Sequence, residues 1–281
     1  MGFKTIILCD IYIRTNKMKI NTIYIGDNLQ IMKDFPSESI DLIYLDPPFF
    51  TQRDFIEFDD RFKNIDYYIS WMKNRLIEMY RILKLTGSIY LHVDWRTVHY
   101  LKIEMDKIFG YNNFQNEIIW HYGLGGGGGK KTYSKKHDNI LYYSKSKNNI
   151  FNIQRGKITP QMKAKYCHED KKGKYMLSKN KKYYLKGGKL LDDVWDISSI
   201  SPTSYERTGY PTQKPEKLLE RIIKTSSNPN SIILDPFVGS GTTCVVAEKL
   251  GRKWIGIDIN PKSQELINKR IFILNKNTFK K

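Results

Sequence analysis

Two hydrogen-bond acceptors on a rigid backbone stand beside an aromatic ring at Asp46-Pro47-Pro48-Phe49. Such a group suits the activation of an exocyclic amine on a nucleobase. That nitrogen is a poor nucleophile, because its lone pair is delocalised into the ring. A carboxylate and a carbonyl fixed by consecutive prolines can accept its two hydrogens and draw the nitrogen toward tetrahedral geometry. The aromatic residue in fourth place can stack on a base rotated out of a duplex. Alone, the tetrapeptide also reads as a proline-rich turn after a strand.

A second stretch, Asp235-Pro236-Phe237-Val238-Gly239-Ser240-Gly241-Thr242-Thr243, opens a helix. Glycines there let the backbone approach a ligand, and the helix N-terminus supplies free N–H groups. The third glycine of a G-x-G-x-x-G fingerprint would fall on Cys244, and no G-K-[ST] follows. The loop is therefore neither a good dinucleotide fingerprint nor a P-loop. The next apolar run ends at Gly256-Ile257-Asp258, an acid placed to accept hydrogen bonds from two ribose hydroxyls. By itself Asp258, followed by Pro261, reads as a helix cap.

These motifs need strands behind them and helices around them. Thr22–Ile25, Ile40–Leu45, Ser88–Val93, Ser231–Leu234 and Lys253–Ile257 read as short strands. Helices are expected over Asn28–Phe35, Asp66–Lys84 with Gly87 as its stop, Thr97–Phe109 closed by Gly110, Pro215–Thr225, from the glycine turn to Leu250, and from Lys262. Alternation of this kind predicts an α/β fold, a doubly wound and mostly parallel sheet with helices on both faces. From about Trp120 to Tyr205 the rhythm breaks into Gly125–Gly129 and lysines interleaved with tyrosines. The division is then an N-terminal extension over 1–18, a catalytic domain over 19–120 and 205–275, and a basic insertion over 121–204.

The chain has 281 residues, 40% of them hydrophobic, enough for a sizeable core. Forty-seven Lys+Arg against 29 Asp+Glu give a net charge of +18. That excess favours a polyanionic partner, although a lysine-rich composition bias would produce the same number. Cys9, Cys167 and Cys244 are scattered, with no C-x-x-C pair and no His/Cys spacing for a metal, so no metal and a reducing cytoplasm are expected. The apolar run Met1–Ile13 is short and interrupted by Lys4 and Asp10, which argues against a signal peptide or a membrane span.

Asp46-Pro47-Pro48-Phe49, the Asp235–Thr243 loop and Gly209-Tyr210-Pro211-Thr212-Gln213-Lys214-Pro215 together resemble the amino-methyltransferase family of DNA-modifying enzymes. The D-P-P-F motif precedes the insertion and the F-x-G-x-G motif follows it, a permuted order that resembles the family's β group. The resemblance covers roughly residues 19–120 and 205–272. It implies a Rossmann-like, circularly permuted fold that uses S-adenosylmethionine. Asp46 and the Pro47 carbonyl would bind the target amino group, with Pro48 stiffening the loop and Phe49 stacking on the flipped base. Asp235, Phe237, Gly239, Ser240, Gly241 and Thr242 would line the cofactor pocket, Asp258 would take its ribose and Asp27 its adenine amino group, with Asp46 at the seam. Tyr210, Thr212 and Lys214 would hold its methionine end; many relatives have His where Tyr210 stands. Asp in first catalytic place is usual for adenine N6 modification, and Ser for cytosine N4.

The insertion would then recognise double-stranded DNA, with Lys130, Lys131, Lys135, Lys136 and Arg155 on phosphates or bases. Any one of those lysines also reads as plain solvated surface. The five glycines read as a loop that orders on DNA or as a linker. Trp120 and Tyr122 could frame a base pocket or simply pack, and no catalytic role is assigned to His92 or Asp94. The resemblance also implies a companion restriction endonuclease and a homodimer. Cytosine N4, an RNA base, and a DNA-binding specificity subunit working with a partner are the rival readings. No Pro-Cys nucleophile for attack at cytosine C5 is present.

Overall fold

Parallel strands buried on both faces organise the chain, in a computed structural model that describes residues 18–123 and 131–278. The first half runs β1 (Thr22–Ile25), α1 (Asn28–Lys33), β2 (Ile40–Leu45), α2 (Ile65–Ile82), β3 (Leu83–Val93) and α3 (Val98–Phe109). There follow β4 (Phe114–His121), β5 (His137–Ser144), α4 (Pro160–Lys165), β6 (His168–Asp170), β7 (Gly173–Ser178), β8 (Lys181–Tyr184) and β9 (Val194–Asp196). The chain closes with α5 (Glu216–Ser226), β10 (Ile232–Asp235), α6 (Thr242–Lys249), β11 (Lys253–Asp258) and α7 (Lys262–Thr278).

Among the described residues, eight strands form one sheet in the order β1-β11-β10-β2-β3-β5-β4-β9. Neighbours from β1 to β3 are parallel, as are β4 and β9; β5 runs antiparallel to both β3 and β4. The last two strands of the chain, β10 and β11, thus sit between the first two, β1 and β2. Every residue of β2 is buried, as a central parallel strand covered on both sides requires. On one face Met72, Leu76 and Met79 of α2 join Leu101, Met105 and Phe109 of α3 against the sheet. Leu218, Leu219, Ile222 and Ile223 of α5, Val246 and Ala247 of α6 and Ile267 of α7 cover the other face.

Two boundaries differ from the sequence reading. Helix α2 stops at Ile82, and β3 begins at once with Leu83 paired to Ile40. Gly87 lies inside that strand, so close to Leu83 that a Cβ would stand 2.7 Å from Leu83 Cδ1. Its glycine signal is one of crowding between neighbours rather than of helix termination. The stretch expected as an insertion also supplies β5 and β9 to the main sheet. What stands apart from that sheet is the antiparallel trio β6-β7-β8 and the segments that flank it. An isolated bridge between Arg155 and Leu190 closes its base, and the Arg155 Nη1 donates to the Gly188 carbonyl at 3.2 Å. Among the described residues no helix is long and apolar enough to cross a membrane.

Ile43 sits where the layers meet: it is fully buried in β2, beside Leu234 of β10 and Ile89 of β3. Replacing it with alanine leaves a cavity between rigid strands, and Ile43→Ala should cost about 2–5 kcal/mol. Urea unfolding of the two proteins measures it; a loss under about 1 kcal/mol would mean that the sheet can collapse there.

Candidate active site

The site lies along the carboxyl ends of the parallel strands, where an open α/β sheet leaves a crevice. Asp46 follows β2 directly. One oxygen, Oδ2, accepts from the Lys214 Nζ, while Oδ1 is buried with no hydrogen-bond partner in the structure. On that side the His92 Nδ1 lies 4.0 Å away, beyond hydrogen-bond reach. The loop behind it is braced from below. Tyr68 of α2 donates its hydroxyl to the Pro48 carbonyl at 2.8 Å. Asp60 accepts from the backbone N–H of Phe50 at 2.8 Å and of Thr51 at 2.9 Å. These bonds hold Phe50 in left-handed backbone at φ 60°, which turns the chain away after the Phe49 ring. That ring lies 5.8 Å from the His92 ring and 5.3 Å from the Lys214 ammonium.

Lys214 is delivered by a segment tied to itself. Gln213 accepts from the Thr208 N–H and hydroxyl, both at 2.8 Å, and donates to the Glu206 carbonyl at 2.6 Å. Thr212 is left-handed at φ 58°, and its carbonyl accepts from Lys214 Nζ at 3.3 Å. Pro215 then caps α5. The sequence reading put Lys214 at the methionine end of a cofactor; in the structure its ammonium meets Asp46.

Beside this pair opens a cavity of about 400 Å³, lined by Asp27, Asp46, Phe49, Phe237, Gly239 and Asp258 among others. Gly239 is left-handed, and a Cβ there would come within 3.2 Å of the Tyr210 ring. Gly241, at φ 76°, packs so tightly on Ile267 that no side chain fits. Ser240 and Thr242 share a hydroxyl contact of 3.2 Å, and Arg270 holds the Ser240 carbonyl at 2.7 Å. Asp258 accepts from the N–H of Gly239 on one oxygen and of Asn260 on the other, each at 2.8 Å. Asp27 caps α1 by accepting from the Gln30 N–H at 3.1 Å and is gripped by Arg75, whose guanidinium lies 3.8 Å over Trp71. Trp71 in turn packs on Phe237.

Asp235 works as a brace for the loop. It accepts from the Phe237 N–H at 3.0 Å and the Thr243 hydroxyl at 2.5 Å, which occupies both oxygens. Burial pushes its carboxyl up to about 7, against the pull of those two donors. Burial also raises the Asp258 carboxyl and the Tyr210 phenol, the latter with help from the Asp258 charge.

His92 and Asp138, to which the sequence reading gave no role, complete the wall beyond Asp46 together with Trp120 and Tyr122, which it placed at a possible base pocket. Fully buried His92 of β3 meets the Tyr44 hydroxyl through Nδ1 at 2.8 Å and Asp138 of β5 through Nε2 at 3.2 Å. Trp120 packs edge-on against the His92 ring at 5.4 Å, and Tyr122 donates to Asp138 at 3.3 Å. The motif reading noticed His92 only as a strand-end residue, and Asp138 lay unnoticed in the basic stretch. Of the expected DNA contacts, Lys131 and Lys135 are exposed, the latter with its ammonium 4.7 Å from the exposed Trp95 ring. The Lys136 carbonyl accepts from the Tyr122 N–H at 3.1 Å. Arg155 is exposed at the base of the β6-β7-β8 trio; Lys130 and the Gly125–Gly129 run lie outside the described residues.

The raised Asp235 carboxyl carries a sign for stability. With its folded value above the unfolded one of about 4, the protonated folded form is favoured at low pH, and that advantage is lost as pH rises through about 7. Asp235→Asn removes the titration. The stability of wild type relative to this variant should fall between about pH 4 and pH 8, by a few kcal/mol at most. Denaturant unfolding at a series of pH values tests it, and parallel curves for the two proteins would refute it.

The sequence profile of the DNA methylase family matches residues 40–269. The chain is 35% identical over 240 residues to the DNA adenine methyltransferase YhdJ of Escherichia coli, covering 85% of this chain and 78% of that one. It is 36% identical to the type II methyltransferase M.HpaI of Haemophilus parainfluenzae, over 86% of this chain and 71% of the relative. Its fold is similar to that of the cytosine-N4-specific PvuII DNA methyltransferase, with a TM-score of 0.64 at 20% identity over 89% of this chain and 85% of the other. It is also similar to M1.HpyAVI solved with S-adenosylmethionine, with a TM-score of 0.58 at 25% identity over 89% and 98% of the two chains. A permuted parallel sheet, a D-P-P-F loop and a glycine loop opening on one crevice are thus matched along most of the chain, and the protein belongs to the family of DNA methylases that modify an exocyclic amine, adenine N6 or cytosine N4.

Proposed function

We propose that this protein transfers a methyl group from S-adenosylmethionine to N6 of adenine in double-stranded DNA, as the modification enzyme of a restriction-modification system. The observation that carries the reading is the bare Oδ1 of Asp46, an acceptor without a partner on a residue that lines one cavity with Phe49 and the glycine loop. Asp in this place and the 35% identical adenine methyltransferase both favour adenine. The type II relatives favour a companion endonuclease.

The residues present fit the cofactor. Gly239 and Gly241 are left-handed where the loop lines the cavity, Gly241 has no room for a side chain, and Asp258 presents a carboxylate to the same cavity for two hydroxyls. Asp27 and Phe237 would hold the nucleoside base, with Tyr210, Thr212, Ser240 and Thr242 toward the amino-acid end. When bound, the sulfonium supplies an electrophilic methyl group. Asp46 Oδ1 and the Pro47 carbonyl would accept the two amine hydrogens and free the nitrogen lone pair as charge develops. Lys214 would hold Asp46 turned, so that one oxygen is spent on the ammonium and the other is left for the amine. Phe49 would stack on the extruded base. Lys131, Lys135, Arg155 and the lysines of β7 and β8 would follow the phosphates.

Labelled S-adenosylmethionine incubated with DNA, followed by digestion to nucleosides, should place the label in N6-methyladenine. Label in N4-methylcytosine would overturn the adenine assignment, and label in RNA alone would overturn the polymer. Asp46→Ala should lower transfer by about 10²-fold or more while cofactor binding, read by calorimetry, persists. Retained transfer would remove Asp46 from the chemistry. Affinity for DNA should fall about 10²-fold or more between roughly 50 and 200 mM salt, and a flat response would refute phosphate docking by the basic surface.

A further inference from the structure

Resting on the amine methylation just described, we propose that His92 and Asp138 form a proton relay that serves Asp46 during the reaction. As the N–CH3 bond forms, the S–CH3 bond breaks and its electron pair stays on sulfur. The nitrogen is left with a positive charge and must shed one of its hydrogens. Asp46 Oδ1 is the acceptor already in place, and the proton reaches it first. The Lys214 ammonium stays on Oδ2, so the proton on Oδ1 is passed onward rather than shared between the two oxygens.

The way onward is His92, whose Nδ1 stands 4.0 Å from that oxygen. Asp138 accepts at Nε2, so the ring's own proton sits there and the Nδ1 lone pair faces the Tyr44 hydroxyl and Asp46. Taking the proton at Nδ1 makes an imidazolium between two carboxylates, those of Asp46 and Asp138, with the Tyr44 hydroxyl free to turn and accept. Burial pushes the Asp138 carboxyl up, but the hydrogen bond and charge of His92, then the Lys214 charge and the Tyr122 hydroxyl, outweigh it and hold the group below its usual range. It is thus an anion able to stabilise the cation beside it. His92 is 0% exposed and has no direct route to water. Asp138 and Tyr122 are half-buried at the sheet edge and supply one. A residue needed only to bolt β2, β3 and β5 together would use the same two hydrogen bonds without requiring a base beside Asp46.

The test is single-turnover methylation with saturating cofactor and DNA, in full-length wild type, His92→Gln and Asp138→Asn. Glutamine bonds to both neighbours and takes up no proton, so His92→Gln should slow transfer by about 10²-fold, within the range of acid–base catalysis. The dissociation constants for cofactor and DNA should stay within about threefold, and the solvent deuterium isotope effect should grow as proton uptake becomes limiting. Asp138→Asn, which keeps the imidazole, should slow transfer about tenfold, and the double variant should be no slower than His92→Gln. Transfer by His92→Gln within about threefold of wild type would overturn the relay, as would a loss matched by weaker binding or by an equal drop in melting temperature. Asp138→Asn at the wild-type rate would overturn it independently. A wild type that methylates no amine would instead refute the reading beneath it.

Discussion

Parallel strands bring their carboxyl ends to one edge, and in this protein nearly every one of them ends in an acid. Along the sheet stand Asp27 after β1, Asp258 on β11, Asp235 on β10, Asp46 after β2, Asp94 after β3, Asp138 at the start of antiparallel β5 and Asp196 on β9. Like charges so near one another, partly removed from water, repel strongly. The surroundings of the site follow from how each is compensated. Arg75 takes Asp27, and backbone N–H groups take Asp258. Arg96 takes Asp94, and His121 takes Asp196 at 2.6 Å. Asp235 is held by two donors and lifted toward the neutral form by burial.

Asp46 differs from its neighbours in having only half of its carboxylate satisfied. Lys214 neutralises the charge from one side, and Tyr68 and Asp60 stiffen the loop that follows. The remaining oxygen is therefore preorganised and costs no reorganisation when a donor arrives. The rings of Phe49, His92 and Trp120 pack in sequence beside it as a wall. The insertion contributes to this wall, because β5 carries Asp138 into the main sheet. The stretch expected as an insertion is thus tied into the main sheet through adjacent strands, β5 beside β3 and β9 beside β4.

What could be read from the sequence was what is local in it. The D-P-P-F loop, the glycine loop and the Tyr210–Lys214 segment each carry their signal within a few residues, and all three line one cavity. Strand positions were legible for β1, β2, β10 and β11 because short apolar runs end at glycine or acid. Harder were features set by partners far along the chain. His92 lies 46 residues from Asp138 and 48 from Tyr44, so only the register of β2, β3 and β5 brings them together. Arg75 carries no motif of its own, yet it is buried against Asp27 and Asn28, which lie more than forty residues earlier in the chain. β5 was masked by the basic residues before it, although Ile140–Tyr143 is a continuous apolar run. Gly87 carried a true signal with the wrong cause, since crowding by a neighbouring strand and helix termination both select glycine.

The row of acids also sorts what approaches the crevice by charge. The cations along this edge are already taken by its acids, whereas Lys131 and Lys135 are exposed outside it, so a duplex backbone would settle on those lysines and a neutral base would be what crosses the gap. A sulfonium is drawn to the same row, whereas the thioether left after its methyl group departs has lost the charge that held it. One electrostatic feature of strand ends would then exclude the polymer, retain the donor and loosen the spent by-product, without any part of the fold having to move.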